Sequence, residues 1–373
     1  MANYRIPVTK PLLPLKSEFE KYLDKIYESG YIANNGPLHN ELREKLKEYL
    51  GARNLTLTVN GHSALDIALK ALNIKGEVIT TPFTFVSTTH ALTLNGIKPV
   101  FCDIKSTDFT IDEDKIEELI TPNTTAIMPV HVYGYRCNVE KIEEIAKRHN
   151  LKVIYDAAHA FGVKYKGKAL ADFGDVSMIS FHATKVFNTI EGGALVYQDE
   201  KLTRVSDAYK NFGIEGPETT EYVGGNAKMN EFQAAMGLAN LSIIKKAIEE
   251  RKWLTDLYRQ RLSGVEGIGF FEPEKVYDDY EYNYSYFPIL VDEKYGKTRD
   301  ELYDYLLENG IYARKYFYPI VTELGCYKKE FEGVALSVAK EVSKKVLCLP
   351  LFNGMAMDEL NEVCDLLENF KNG

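Results

Sequence analysis

SFHATKVFNTIEGGALV, residues 180–196, places one lysine, Lys185, between the apolar run VSMISF and a Gly192-Gly193 turn that leads into a second apolar run, ALVYQD. Runs of this length and composition are expected as strands. A lysine held at a strand end among apolar neighbours loses hydration, its pKa falls, and its neutral amine can attack a carbonyl to form a Schiff base. A solvated surface lysine fits the same letters, so the surrounding chain has to decide.

Outward from this segment, short β-branched runs alternate with amphipathic stretches from about Leu55 to Val196. LTLTV, EVITT, KPVFCDI, TAIMPVHV and KVIYDA join VSMISF and ALVYQD as seven expected strands. HSALDIALKAL, VSTTHALTLNG, DEDKIEELI and VEKIEEIAKRH place apolar residues at helical spacing. The pattern predicts an α/β domain with a mostly parallel sheet between helices. KMNEFQAAMGLANLSIIKKAIEERKWLTDLYRQRL follows, broken only by Gly237, and predicts one or two long helices. The strand SYFPILV and the helices TRDELYDYLLENG and MDELNEVCDLLENF then make a smaller α+β domain. The expected division is a large domain at 1–245, which includes the N-terminal segment, and a small C-terminal domain at 246–373.

With 373 residues, 45% of them hydrophobic, the chain can bury a large core. A formal net charge of -9 argues against nucleic acid or an anionic membrane as partner. The start, MANYRIPVTKPLLPLKSEFE, breaks its apolar residues with charge and proline, so it resembles neither a signal peptide nor a membrane span and points to the cytoplasm. The five cysteines are widely separated, without CxxC pairs or zinc spacing, and are expected as reduced thiols. The 25 tyrosines suit either a polar-aromatic ligand cleft or a large interface.

Ligands of open α/β sheets bind beyond the carboxyl ends of the strands. LTLTV ends at Asn60-Gly61-His62-Ser63, a helix start suited to phosphate, in which Asn60 and Ser63 also suit helix caps. Phe85 follows EVITT, where its ring would either stack on a planar ligand or pack into the core. Asp156 ends KVIYDA, and an acid there calls for a charged partner such as a pyridinium nitrogen, or else caps the next turn. His159, three residues on, and Ser180, before Lys185, suit either ligand contacts or structural roles.

Taken in order, NGHSAL, PFTF, DAAHAFG, SFHATK, EGG and GGNAKMNEFQAA resemble the nucleotide-sugar aminotransferases of the DegT/DnrJ/StrS type, which use the fold type I pyridoxal 5'-phosphate (PLP) scaffold. The resemblance spans nearly the whole chain. It implies that Lys185 carries PLP as a Schiff base, that Asp156 pairs with the pyridine nitrogen, and that Phe85 stacks on the ring. Gly61, His62, Ser63 and Ser180 would hold the phosphate, and His159 would lie near the ring hydroxyl. Asn226 matches an asparagine that reaches the phosphate from a neighbouring subunit, which implies a homodimer with shared sites. His62 departs from the family's frequent threonine, so a hydroxyl contact is lost.

FHATK followed by EGG looks like the members that aminate carbon 4 of a 4-keto-6-deoxy nucleotide sugar for surface polysaccharide, with L-glutamate as donor and a dTDP-4-keto-6-deoxy sugar as acceptor. PLP would alternate with pyridoxamine 5'-phosphate during turnover. His182 and Glu191 flank the lysine and are candidate substrate contacts, as are Arg314, Tyr316 and Tyr318 in YARKYFYP. A turn glutamate and a charged strand edge over packed aromatics are the alternatives for Glu191 and for YARKYFYP. Rival readings are a sugar 3-aminotransferase, a PLP-dependent sugar dehydratase, whose histidine in place of the lysine Lys185 argues against, and a non-enzymatic nucleotide-sugar sensor. GVKYKGKA, residues 162–169, nearly spells a P-loop, but Ala169 stands where a Ser or Thr hydroxyl is needed, and a hairpin turning at Lys166-Gly167 is expected instead. No HExxH or histidine cluster suggests a metal.

Overall fold

The computed structural model describes residues 4–372. All seven expected strands form one sheet: β1 (Asn54–Thr58), β2 (Glu77–Thr80), β3 (Lys98–Phe101), β4 (Thr124–Met128), β5 (Lys152–Asp156), β6 (Val176–Ser180) and β7 (Gly193–Tyr197). Their spatial order is β1-β7-β6-β5-β4-β2-β3. β7 runs antiparallel to both neighbours and every other pairing is parallel. Successive side chains on a strand face opposite sides, and Val78 and Ile79 belong to separate apolar clusters, one on each face. Helices on both sides therefore cover the sheet, as its parallel strands require.

The long helical stretch is two helices, Glu231–Leu241 and Ile244–Leu262. DEDKIEELI, expected as a helix, forms only two short 3-10 turns, Glu113–Lys115 and Glu117–Leu119. Thr121 precedes Pro122, which disfavours helical backbone at that residue, and Ile120 before it is already extended. The P-loop look-alike is the expected hairpin, with Lys164–Tyr165 paired to Lys168–Ala169 and positive φ at Lys166 and Gly167.

A separate apolar cluster gathers Leu254, Tyr258, Phe287, Ile289, Leu347 and Leu360 beneath the antiparallel strands Ile268–Gly269, Phe287–Val291 and Val346–Leu349. Ile6 is fully buried in this cluster, and Ile6–Pro7 pairs in parallel with Ile311–Tyr312. Ile6 and Pro7 are thus tied to the C-terminal part, while Val8 and Leu12 belong to the apolar cluster of the large sheet and Asn188 donates to the Leu12 carbonyl at 2.9 Å. Among the described residues, no helix is long and apolar enough to cross a membrane.

Glu231, in KMNEFQ, is almost fully buried and accepts the backbone amides of Leu38 and His39, both at 2.8 Å, at the start of the helix Pro37–Leu50. It satisfies two donors that a helix start leaves open and places negative charge at the positive end of the helix dipole. Glu231→Ala is expected to destabilise the fold by about 2 kcal/mol, because two buried amides lose a charged acceptor. Denaturant unfolding measures this, and Glu231→Gln should recover part of the loss.

Candidate active site

Three strand ends converge on one row. Gly193 of β7 lies opposite Thr58 of β1 on one side and Ser180 of β6 on the other. A Cβ on Gly193 would lie 2.7 Å from the Asn60 carbonyl group and the Gly61 amide, so the second glycine of EGG permits this close approach. A Cβ on Gly61 would lie 3.2 Å from the Ser180 Cβ and 3.4 Å from its Oγ. Gly61 and Ser180 are thereby brought together at the start of the helix Gly61–Ala71.

At that helix start the Asn60 side chain accepts the Ser63 amide at 2.8 Å and acts as the cap. Ser63 therefore has only its hydroxyl to offer a ligand. Among the described residues, no acceptor takes the Gly61 or His62 amide. The His62 ring turns away and hydrogen-bonds Ser87 Oγ at 2.8 Å through Nδ1, so this position contributes backbone where a threonine would add a hydroxyl.

Asp156 ends β5 almost fully buried. Its Oδ2 accepts the Thr88 hydroxyl at 2.7 Å and its Oδ1 accepts the Ala158 amide at 3.0 Å. Burial raises its pKa, while those two hydrogen bonds and the Lys185 charge oppose the rise. Such a carboxylate is held in place yet short of a cationic partner. His159 accepts the Tyr133 amide through Nδ1 at 2.9 Å. That bond puts the ring proton on Nε2, and burial drives the pKa well down, so the imidazole stays neutral and presents an N–H donor.

Lys185 sits in a turn closed by its amide donating to the His182 carbonyl at 2.9 Å. Burial lowers its pKa to about 8, with Asp156 pulling the other way. Its Nζ lies 5.9 Å from the centre of the Tyr286 ring. The turn that follows is strained at Ile190, a β-branched residue at φ 72°. The Asn188 side chain holds it by accepting the Ile190 amide at 3.2 Å. Because the folded lysine loses its proton near pH 8 and an exposed lysine near 10.4, reductive methylation of Lys185 in cofactor-free protein should rise with pH to a midpoint of about 8. Peptide mass mapping of methylated lysines across pH measures this.

Phe85 is 59% exposed, so its ring is not core packing. It borders a cavity of about 360 Å³ shared with Arg314, Tyr316 and Tyr318. Three expected substrate contacts thus share one wall with the stacking candidate. The peptide bonds Tyr316–Phe317 and Tyr318–Pro319 are cis. His182 and Glu191 instead face each other at 3.5 Å with both side chains about half exposed, outside that cavity. Asn226 is exposed, beside Ala227, whose carbonyl accepts the Val59 amide at 2.8 Å, one residue before Asn60.

Two residues emerge that motif reading passes over. Thr88 is fully buried and orients Asp156. The signal for it is a pair of threonines, Thr88 and Thr89, at the start of a buried helix. Tyr286 closes the site over Lys185, and its clue is the alternation of EYNYSYF. The tyrosines as a class form neither cleft nor interface alone; many pack inside, with Tyr282 donating to the Tyr133 carbonyl at 2.9 Å and Tyr258 to that of Pro350 at 2.9 Å.

The donor set fits PLP. A buried acid lacking a cation, an exposed aromatic face, a neutral histidine N–H, and two free helix-start amides beside Ser180 match a pyridinium, a planar ring, a ring oxygen and a phosphate.

A model of the DegT/DnrJ/EryC1/StrS aminotransferase family matches residues 14–368. The dTDP-4-amino-4,6-dideoxy-D-glucose transaminase of Shigella dysenteriae is 44% identical over 366 residues, 98% of each chain. A crystal structure of DesI in the presence of its TDP-sugar product superposes with a TM-score of 0.94 at 31% identity, covering all of this chain and 94% of that one. NtdA from Bacillus subtilis with bound pyridoxamine phosphate gives 0.87 at 28% identity, covering 96% and 82%.

Proposed function

Because this chain belongs to the DegT/DnrJ/EryC1/StrS aminotransferase family, whose members depend on PLP, we propose that it moves the amino group of L-glutamate to carbon 4 of a dTDP-4-keto-6-deoxyhexose. The observation that carries the sugar and the position is the 44% identity, end to end, to a transaminase named for a dTDP-4-amino-4,6-dideoxy sugar. The product suits surface polysaccharide assembly in the cytoplasm.

Bound at this site, PLP supplies an electron sink and a carrier for the amino group. Asp156 keeps a proton on the pyridine nitrogen, because two hydrogen bonds fix its carboxylate and burial leaves it in need of a cation. His159 would donate its Nε2 proton to the ring oxygen, the Gly61 and His62 amides with the Ser63 and Ser180 hydroxyls would hold the phosphate, and Phe85 would cover one face of the ring. Lys185 would anchor the cofactor, and its neutral amine would be the group that takes a proton from the donor's α-carbon and, in the second half of the exchange, delivers one to sugar carbon 4. A pKa of about 8 lets it do both near neutral pH.

A homodimer completes this reading. Ile32 accepts the Glu231 amide, and the Gln233 side chain donates to the Glu191 carbonyl, so exposed Ile32, Phe232 and Ile190 lie together beside the lysine turn. An apolar surface next to a site suits a second copy, and exposed Asn226 is then available to the partner's phosphate site.

The test supplies purified enzyme with L-glutamate and dTDP-4-keto-6-deoxyglucose and locates the new amine by NMR. Amination at carbon 4 is expected, and amination at carbon 3 would overturn the positional claim.

A further inference from the structure

The exchange proposed above brings two different anions to one lysine in turn: an amino acid with two carboxylates, then a nucleotide sugar with a diphosphate. Each must set its reacting carbon at Lys185, so each needs a fixed cationic anchor at a similar place. Most cations near the aromatic wall are already engaged. Lys315 is paired with Asp300, and Arg299 is held by Asp300 and by the carbonyls of Ser343 and Val346. Arg314 is different.

Its backbone is clamped to Cys348 in both directions, at 3.0 and 2.8 Å. Its guanidinium donates to no carboxylate among the described residues; it donates to the Tyr312 hydroxyl at 3.1 Å and lies 4.5 Å from the centre of the Tyr316 ring. An arginine stacked on rings and lacking an acid is preorganised, and its fork matches carboxylate and phosphate equally.

Tyr286 joins this group to the lysine. Its ring faces Lys185 Nζ, stands edge-on to Tyr316 at 5.7 Å and packs against His159 at 4.9 Å. Its hydroxyl makes no hydrogen bond to the described protein, and burial keeps it protonated, opposed by the charges of Arg251 and then Arg314. Lys185, Tyr286 and Arg314 therefore follow one another along the same wall.

We propose that Arg314 and the Tyr286 hydroxyl form a single anion site used twice per turnover, by a carboxylate of the amino donor and then by a phosphate of the nucleotide sugar. This rests on the exchange reaction proposed above and adds that its two substrates compete for the same guanidinium.

The two halves can be followed separately in holoenzyme by the change in cofactor absorbance, first with L-glutamate alone and then with the sugar added to the aminated enzyme. Arg314→Gln is expected to raise the half-saturating concentration of both substrates roughly ten- to hundredfold, and Arg314→Lys to restore part of both. Tyr286→Phe should raise both by a smaller factor. Inorganic pyrophosphate should compete with glutamate in the wild-type enzyme, a measurement that does not depend on any variant folding. An Arg314→Gln enzyme that loses only the sugar half-reaction, or only the glutamate half-reaction, would overturn the shared site, as would pyrophosphate inhibition that glutamate does not relieve. A wild-type enzyme whose cofactor does not respond to glutamate would overturn the exchange reading itself, and the shared site with it.

Discussion

Lys185→Ala is expected to lower the rate of sugar amination by at least about 10⁴-fold, since in the proposed mechanism one side chain supplies both the covalent anchor and the proton carrier. Phe181 and Phe187, which flank the lysine turn, are fully buried in the sheet core, so they hold that turn whether or not an amine is present. The loss should therefore appear in the rate and not in the melting temperature. Steady-state turnover with a dTDP-4-keto sugar measures it, and a small primary amine in the buffer should restore a fraction of the proton transfer. Lys185→Arg should stay inactive despite its charge, because a guanidinium does not deprotonate near pH 8. Turnover by Lys185→Ala within tenfold of wild type would remove this lysine from the mechanism.

Much of this site was legible because the α/β topology brings strand ends together. Once VSMISF and KVIYDA are read as neighbouring parallel strands, Ser180 and Asp156 must emerge at the same edge of the sheet, and so they do. The Gly-Gly turn was legible as a turn, yet its reason is tertiary: Gly193 abuts Asn60, a residue over a hundred positions away. Where the sequence fell short, neighbours distant in the chain decide the outcome. Ser63 reads as a phosphate ligand or a cap residue, and only packing shows that Asn60 occupies its amide and leaves its hydroxyl to a ligand. Phe85 reads as either a stacking ring or core, and the packing of the YARKYFYP segment leaves its ring open to a cavity. Thr88 and Glu231 are polar residues on ordinary helices, and only packing turns the first toward Asp156 and the second toward another helix start. Periodicity reports which face of an element is buried, but not which polar group waits on the other side.

Asp156→Asn should separate the electrostatic part of the site from its architecture. The amide oxygen can still accept the Ala158 N–H. Thr88 Oγ1 also lies 3.0 Å from Thr84 Oγ1, so its hydroxyl can turn to donate there and accept from the new amide nitrogen. The fold and the orientation of the side chain should survive. What disappears is the negative charge that, in the proposed mechanism, would keep a proton on the pyridine nitrogen, and an unprotonated ring is a poorer electron sink. Removing one preorganised electrostatic partner typically costs on the order of 10²–10³ in rate, and the loss should fall on the rate constant of the glutamate half-reaction while half-saturation changes little. Loading the variant with a cofactor methylated at the pyridine nitrogen, which carries its positive charge permanently, should return much of the rate in Asp156→Asn and little in Lys185→Ala. Equal failure of both variants with the methylated cofactor would mean that Asp156 shapes the pocket and does not govern the charge on the ring.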